Sequence, residues 1–250
     1  MSSYVRFEKR TGDRPKLSEL SPEIASIDGG RNLFQYFNDC FDTSGFEVVD
    51  SSAGSALAPI AGNGGVVQLT GDNDSGILNL PSQFVFSPTF VGSIKWSCRM
   101  RVVDSGSPAV NRVHVGLFTG GNNLTAADRS FIRLVNFNHG SNPTFAALLD
   151  FGQASALSNE NAIGSFSPLT SSNLESFHVY SQEITFDGTN IRTLTSIDGV
   201  EVIDQVSTQA DAGTSGMKWA IIGTNGSSVV NMLGMKIDLD WLSIVGTRDA

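Results

Sequence analysis

Apolar and polar side chains alternate along much of this chain, and the stretch over residues 176–186 shows the alternation most clearly. One of its faces carries His178, Tyr180, Gln182, Ile184 and Phe186, and the other carries Phe177, Val179, Ser181 and Glu183. A period of two predicts a β-strand, because successive side chains of a strand point to opposite faces. Asp187-Gly188 and Asp198-Gly199 then supply the glycines that tight turns need. The pattern therefore predicts three consecutive antiparallel strands.

About a dozen segments of this kind follow one another after residue 39. The predicted strands are residues 46–50, 66–70, 77–80, 91–103, 113–118, 131–137, 145–150, 176–186, 191–197, 200–206, 218–223 and 235–245. Glycine-rich or asparagine-rich stretches between them favour turns. Helical periodicity is confined to short pieces over residues 17–25 and 32–37. The chain is therefore expected to be all-β, a large antiparallel β-sandwich.

The aromatic composition fits a thick apolar layer between two sheets. The 250 residues include 16 Phe but only three Tyr and three Trp. Phe has no polar tip, so it suits the dry interior of a sandwich. Sandwiches of this length commonly form one domain, and we expect that domain to span residues 39–250.

Residues 1–38 differ from the rest and are expected to form an irregular N-terminal arm. They hold six basic and five acidic side chains, whereas residues 39–250 hold ten basic and twenty acidic ones. A weakly basic segment beside an acidic body suits pairing with an acidic surface or addition to a neighbouring sheet. The alternative is a terminus without a partner. The candidate contact residues, which alternate apolar and basic groups, are Tyr4, Arg6, Phe7, Lys9 and Arg10.

Charge and hydropathy exclude two classes of partner. The net charge of −9 argues against a nucleic-acid partner, since phosphate contacts require clustered Lys and Arg. The chain begins without an apolar signal segment and contains no run of about 18 apolar residues, so we expect no membrane partner and synthesis in the cytoplasm.

Two cysteines are too few for a disulfide scaffold, and Cys98 shares an apolar strand face with Trp96 and Met100. A buried, reduced thiol is expected.

No group of residues forms a recognisable catalytic motif. The nearest approach is Asp238 and Asp240, which alternation places on one face while Ile237, Leu239 and Trp241 share the other. Retaining glycoside hydrolysis needs two carboxyl groups about 5 to 5.5 Å apart. These two are instead expected to be ordinary solvent-facing residues on a polar outer face. We assign no catalytic residue and expect no enzyme.

No metal or cofactor site is predicted either. Residues 72–76 space Asp and Asn side chains as some calcium loops do, but no bidentate glutamate follows, which favours a hairpin turn. His114, His139 and His178 lie far apart and outside any ligand motif. His178 is expected to be packed or hydrogen-bonded rather than to act as a general base.

The order of the predicted elements carries a further signal. A turn-rich opening over residues 64–71 leads to the long strand around residues 95–101; Asp198-Gly199 forms a later turn, and Asp240-Trp241 lies in the closing strand. This succession, over residues 39–246, resembles the concanavalin A-like jelly roll. An Asp-Gly turn and a final Asp-Trp strand recur at these places in such domains.

Within that superfamily, the glycine- and asparagine-rich loops and the short unpatterned arm are most similar to structural proteins of tailed bacteriophage virions, of the capsid decoration or cement type. This resemblance implies a jelly roll on the capsid surface, often a homotrimer, whose terminal segment contacts the major capsid protein and stabilises the shell. The arm over residues 1–38 would supply that contact. The implied location is the virion.

Two other functions stay open. The same sandwich carries sugar sites in many proteins, so a lectin-like carbohydrate-binding or host-adhesion module is the alternative. Trp96, Trp219 and Trp241 all fall on predicted apolar faces, which leaves few exposed aromatic platforms for a sugar. A glycoside hydrolase ranks last, because the Glu-x-Asp-x-x-Glu pattern of glucanases is absent.

Overall fold

Every regular element that the computed structural model describes is a β-strand. The described residues are 32–46, 49–50, 56–60, 65–70, 78–86, 92–103, 111–119, 129–135, 144–150, 161–162, 175–208, 216–225 and 236–248. The strands are β1 (Asn32–Asn38), β2 (Val49–Asp50), β3 (Ala56–Pro59), β4 (Val67–Thr70), β5 (Leu78–Phe86), β6 (Gly92–Val103), β7 (Asn111–Thr119), β8 (Arg129–Val135), β9 (Thr144–Asp150), β10 (Asn161–Ala162), β11 (His178–Phe186), β12 (Asn190–Ile197), β13 (Val200–Thr208), β14 (Met217–Asn225) and β15 (Lys236–Arg248).

These strands form two antiparallel sheets. The first sheet has the order β13-β12-β11-β6-β15-β4-β3, and β1 also pairs with β15. The second sheet has the order β10-β9-β8-β7-β14-β5-β2. One hydrophobic cluster contains buried side chains from both sheets, so the sheets pack face to face. The expected antiparallel sandwich is confirmed.

Strand β6 illustrates how alternation builds the core. Ile94, Trp96, Cys98 and Met100 are fully buried, while the residues between them are half-buried or exposed. The Trp96 ring meets Trp219 of the second sheet edge to face, with centroids 6.3 Å apart. Both cysteines of the chain are buried free thiols, and burial raises the pKa of the Cys98 thiol well above its usual value. The expected buried thiol at Cys98 is confirmed.

A polar connection crosses this apolar layer at Gln182. Its side-chain oxygen accepts a hydrogen bond from Trp96 Nε1 at 3.2 Å and one from Ser130 Oγ, on the opposite sheet, at 3.0 Å. Gln182 Nε2 donates to Thr195 Oγ1 at 3.1 Å. All four residues are fully buried. Because unpaired polar groups are costly in a dry interior, these bonds fix how the two sheets face each other.

The meander of β11, β12 and β13 has the predicted turns. The Asp187 carboxylate accepts hydrogen bonds from the backbone N–H groups of Asn190 and Thr189 at 2.6 and 2.7 Å, and these bonds lower the pKa of Asp187. Asp198 and Gly199 have positive φ values of 50° and 77°. Two consecutive positive φ values are typical of the tight turn that joins twisted antiparallel strands.

Two of the elements predicted from the sequence are corrected by the structure. The short helix expected over residues 32–37 is wrong: these residues lie in β1, which pairs with residues 242–248 of β15. Long-range pairing outweighs a weak local pattern here. The strand expected over residues 77–80 continues through Pro81 to Phe86, and Pro81 lies where the register with β14 shifts. A proline is tolerated at such an irregularity because it lacks the N–H of a regular ladder.

The remaining predicted strands coincide with observed ones to within a few residues. Strands β3 and β10 were not expected; β10 has two residues and β3 has four, of which three are exposed. The helical piece over residues 17–25 lies outside the described residues. The division of the chain at residue 38 stays a prediction, although residues 32–38 form a strand of the first sheet.

Replacement of Gln182 by leucine is expected to destabilise the fold. The change leaves the buried Trp96 N–H, Ser130 hydroxyl and Thr195 hydroxyl without their shared partner, and each such loss costs about 1 to 3 kcal/mol. We expect the Gln182→Leu variant to lose about 2 to 5 kcal/mol of unfolding free energy in urea titrations. Ser181→Ala, next to it on the outer face, is the control and should change stability by less than about 0.5 kcal/mol. Equal stabilities of the two variants would contradict a bridging role.

Candidate binding surface

A cluster of charged and aromatic side chains lies on the outer face of the first sheet. In one row Arg99 is the register partner of both Trp241 and Val179. In the next row Gln68 is opposite Asp238, and Asp238 is opposite Arg101. Phe177, just before β11, lies beside both arginines. We call this cluster the arginine–tryptophan surface; its members are Gln68, Arg99, Arg101, Phe177, Asp238, Asp240 and Trp241.

A bulge in β15 places Trp241 on this surface. Leu239 pairs with Met100 and Trp241 pairs with Arg99, so Asp240 is an extra residue in the strand. Leu239 and Leu242 both lie in the core, which leaves the half-buried Trp241 on the outer side between them. The predicted position of Trp241 on the apolar face is therefore wrong. The inserted residue shifts the alternation by one, and such a shift reverses the faces of the residues that follow.

The two aspartates are buried and paired with arginines. Asp238 accepts a hydrogen bond from Arg101 Nε at 2.7 Å and another from Gln68 Nε2 at 2.7 Å. Asp240 pairs with Arg99 Nη1. Asp238 is 0% exposed and Asp240 is 5% exposed. The expectation that both are ordinary solvent-facing residues is wrong, because the long arginine side chains supply partners that make burial of a carboxylate tolerable.

The aromatic ring of Phe177 also holds the guanidinium groups of the two arginines in place. The guanidinium carbons of Arg99 and Arg101 lie 4.7 and 4.8 Å from the centroid of its ring. A cation within about 6 Å of an aromatic ring face is attracted by the ring's quadrupole. Each guanidinium is thus held by a carboxylate and by the same ring. The sequence pattern placed Phe177 on the same face as Ser181 and Glu183, and this contact explains why an aromatic residue is found there.

Small polar side chains continue the outer face beyond this surface. Ser97 of β6 is the register partner of Ser243 on β15 and of Ser181 on β11, and all three are half-buried. In the row after that, Lys95 Nζ lies 3.7 Å from Glu183 Oε2. The row of three serines therefore lies between a charged pair and the arginine–tryptophan surface.

The outer face of the second sheet has a different character. The rings of Phe118 and Phe131 stack with centroids 5.4 Å apart, and the His114 ring meets Phe131 edge-on at 5.1 Å. Phe118 and Phe131 form a second buried apolar cluster with Ala220 and Ile222. The three neighbouring strands β7, β8 and β14 contain no Asp or Glu. These strands therefore contribute no carboxylate to this face.

Other candidates from the sequence are distributed as follows. His178 is buried, and its Nδ1 lies 2.6 Å from Asp198 Oδ2, so the expectation of a packed, hydrogen-bonded histidine is confirmed. His139 and residues 72–76 lie outside the described residues. So do the arm residues Tyr4, Arg6, Phe7, Lys9 and Arg10, whose contacts stay a prediction. Within the described part of the chain, no group of three or more His, Cys, Asp or Glu side chains is arranged to hold a metal ion.

The part of the chain that the structure describes includes no helix with the length and hydrophobicity needed to cross a membrane.

Comparison with solved structures identifies the fold. An endo-1,3-β-glucanase from Streptomyces sioyaensis has a TM-score of 0.59 and 15% identity, and the match covers 87% of this chain and 97% of the glucanase. Peanut lectin has a TM-score of 0.53 and 10% identity, with 87% and 99% covered. The CBM2 module of the evolved Dit protein of Lactobacillus casei BL23 phage J-1 has a TM-score of 0.54 and 11% identity, with 88% and 98% covered. Neither a family model nor a curated protein matches the sequence.

These matches extend over most of the chain and almost all of each neighbour. At 15% identity or less they show the fold alone, which is the concanavalin A-like jelly roll of lectins and glucanases. The fold expected from the order of the strands is confirmed. Because this fold is shared by enzymes and by sugar-binding proteins, function has to be argued from the surfaces described above.

The ion pair between the half-buried Arg101 and the fully buried Asp238 is expected to matter more for stability than an exposed pair of the same kind. Removing one partner of a buried pair leaves an uncompensated charge and costs about 3 kcal/mol or more. Arg192 and Asp204 pair at 2.6 Å with both side chains exposed, and such pairs contribute about 0.2 to 1 kcal/mol. We expect Arg101→Ala to lower the unfolding free energy by about 3 kcal/mol in urea titrations at pH 7, and Arg192→Ala by less than about 1 kcal/mol. Similar losses would show that Asp238 does not depend on Arg101.

Proposed function

We propose that this protein is a non-enzymatic virion structural protein, a capsid decoration protein that binds the major capsid protein and stabilises the shell. A viral setting is supported by the fold similarity to the phage J-1 module, which extends over 88% of this chain. The proposal assigns the sandwich a scaffolding and binding role on the capsid surface. It assigns the anchoring contact to the arm over residues 1–38.

The proposal that the protein is not an enzyme rests on two carboxylates of the first sheet, which are buried and paired. Asp238 and Asp240 are buried and each is bound to an arginine. A nucleophile has to reach the anomeric carbon and a general acid has to donate a proton to the leaving oxygen, and these groups are already engaged by arginines. Strands β7, β8 and β14 add no acidic residue. The two aspartates and the three acid-free strands therefore support binding better than hydrolysis.

The charge distribution supports the anchoring role of the arm. Residues 1–38 have a net charge of +1, while residues 39–250 have a net charge of −10. The basic groups Arg6, Lys9 and Arg10 lie close together, with Tyr4 and Phe7 among them. A basic and apolar segment can pair with acidic groups of another protein, in competition with the acidic surface of its own body.

Cosedimentation with undecorated capsids tests this proposal. We expect the full-length protein to bind capsids saturably, and we expect a variant with Arg6, Lys9 and Arg10 replaced by Glu to bind at least tenfold more weakly. The single exchange Lys236→Glu, at an exposed position of β15, is the control and should leave binding within twofold. A variant lacking residues 1–16 should also fail to bind.

Two results would contradict the proposal. Absence of saturable binding by the full-length protein would exclude a decoration role. Unchanged capsid occupancy after deletion of residues 1–16 would exclude the arm as the anchor.

Carbohydrate binding is the second candidate function, and the position of Trp241 favours it. The sequence pattern indicated that all three tryptophans face the core, whereas the bulge at Asp240 brings Trp241 to the outer face beside polar groups. Exposed aromatic rings are platforms on which the C–H faces of sugars pack. The sandwich fold is also that of peanut lectin. Glycan binding by the isolated protein would support this candidate, and it is compatible with a place on a virion surface.

A further inference from the structure

We infer that the arginine–tryptophan surface and the adjoining row of Ser97, Ser181 and Ser243 form a binding site for a carboxylate-bearing saccharide. This inference rests on the second candidate function, carbohydrate binding, and names its location and ligand class. The site lies on the outer face of the first sheet, across β15, β6 and β11.

The surface presents hydrogen-bond donors and keeps its carboxylate acceptors buried. A guanidinium carries five N–H donors. Arg101 uses Nε for Asp238 and Arg99 uses Nη1 for Asp240, and neither guanidinium group makes another hydrogen bond to the side chains that the structure describes. Their side chains are 33% and 42% exposed, whereas the two aspartates are almost fully buried. The solvent therefore meets mostly donors, and the complementary ligand is rich in acceptors.

The two guanidinium groups are held in place before a ligand arrives. Each is bound to a buried carboxylate, and both lie against the ring of Phe177 at 4.7 and 4.8 Å. Arginine loses much rotamer freedom when it is fixed, and here that cost falls on folding rather than on binding. The planar fork of an arginine matches the two oxygens of a carboxylate. A carboxylate is therefore the acceptor group that this arrangement suits best.

The neighbouring side chains distinguish a saccharide from other carboxylates. Trp241, the register partner of Arg99, offers a partly exposed aromatic surface for an apolar C–H face. Ser97, Ser181 and Ser243 place three hydroxyl groups in one row on strands about 4.8 Å apart. A sugar acid presents a C–H face, hydroxyl groups and a carboxylate on one ring. An acidic peptide presents the carboxylate but has no comparable use for a row of hydroxyls.

Binding to an array of oligosaccharides containing uronic or sialic acids, printed beside their neutral counterparts, provides the test. We expect saturable binding to acidic members and at least tenfold weaker binding to neutral ones. The dissociation constant of the tightest array ligand is then measured by calorimetry for two variants with the same charge change. Ser97→Asp places a carboxylate next to Arg99 and should weaken binding at least tenfold. Thr185→Asp is the control: Thr185 is exposed on the same face, two rows beyond Ser97 and opposite Ser93, and its replacement should leave binding within twofold.

Each contrary outcome has a separate meaning. If the full-length protein binds no glycan, both the site and the carbohydrate-binding function are wrong. If it binds a glycan but Ser97→Asp has no effect while the variant remains folded by circular dichroism, the function stands and the site is wrong. If a hexaglutamate peptide binds as tightly as the acidic glycan, the surface recognises carboxylates without a sugar, and the saccharide assignment is overturned.

Discussion

The hydrogen bonds of Gln182 are the constraint on which the rest of the sandwich depends. Hydrophobic burial alone would let two apolar sheets slide over each other, since it has no preferred direction. A buried amide bound to Ser130 of the opposite sheet and to Trp96 and Thr195 of its own permits one relative placement. Once that placement is set, the inner positions of β6, β11 and β12 are fixed, and so are the side chains on their outer faces.

The bulge at Asp240 decides what the outer face presents. Without the extra residue, regular alternation would point Trp241 into the core, as it does Leu239, and would turn Leu242 toward solvent. With it, the first sheet carries a tryptophan next to two arginines while β15 keeps apolar residues inside on both sides of the bulge. The bulge also lies where the partner of β15 on the side opposite β6 changes, because β4 pairs with residues 236–239 and β1 with residues 242–248. One local irregularity therefore serves both the topology and the surface.

The fold could be predicted from the sequence because alternation and turn glycines are local signals. Residues 176–206 contain both, and the meander matches the prediction closely. The candidate binding surface was not predictable by the same means. Its arginines lie at polar positions of β6 and Phe177 lies just before β11, where a pattern gives no reason to group them, and Trp241 was assigned to the wrong face. The bulge shifts the core positions from Ile237 and Leu239 to Leu242 and Ile244, but the apolar Trp241 hides this shift in the sequence, and the pairing of β15 with β6 reveals it. Likewise, the burial of Asp238 depends on Arg101, which is 137 residues away along the chain.

The position of β15 in the first sheet has a consequence for how the chain reaches its native state. Strand β6 lies between β11 and β15, so one of its two neighbours is the last of the described strands in chain order. Until β15 has paired with it, β6 has one unpaired edge. The core-facing residues of β6 include Ile94, Trp96 and Met100. Open edges of this kind attract other chains, and pairings between distant segments form slowly. The first sheet can be completed only after translation of β15, so one edge of β6 stays open to other chains until that step.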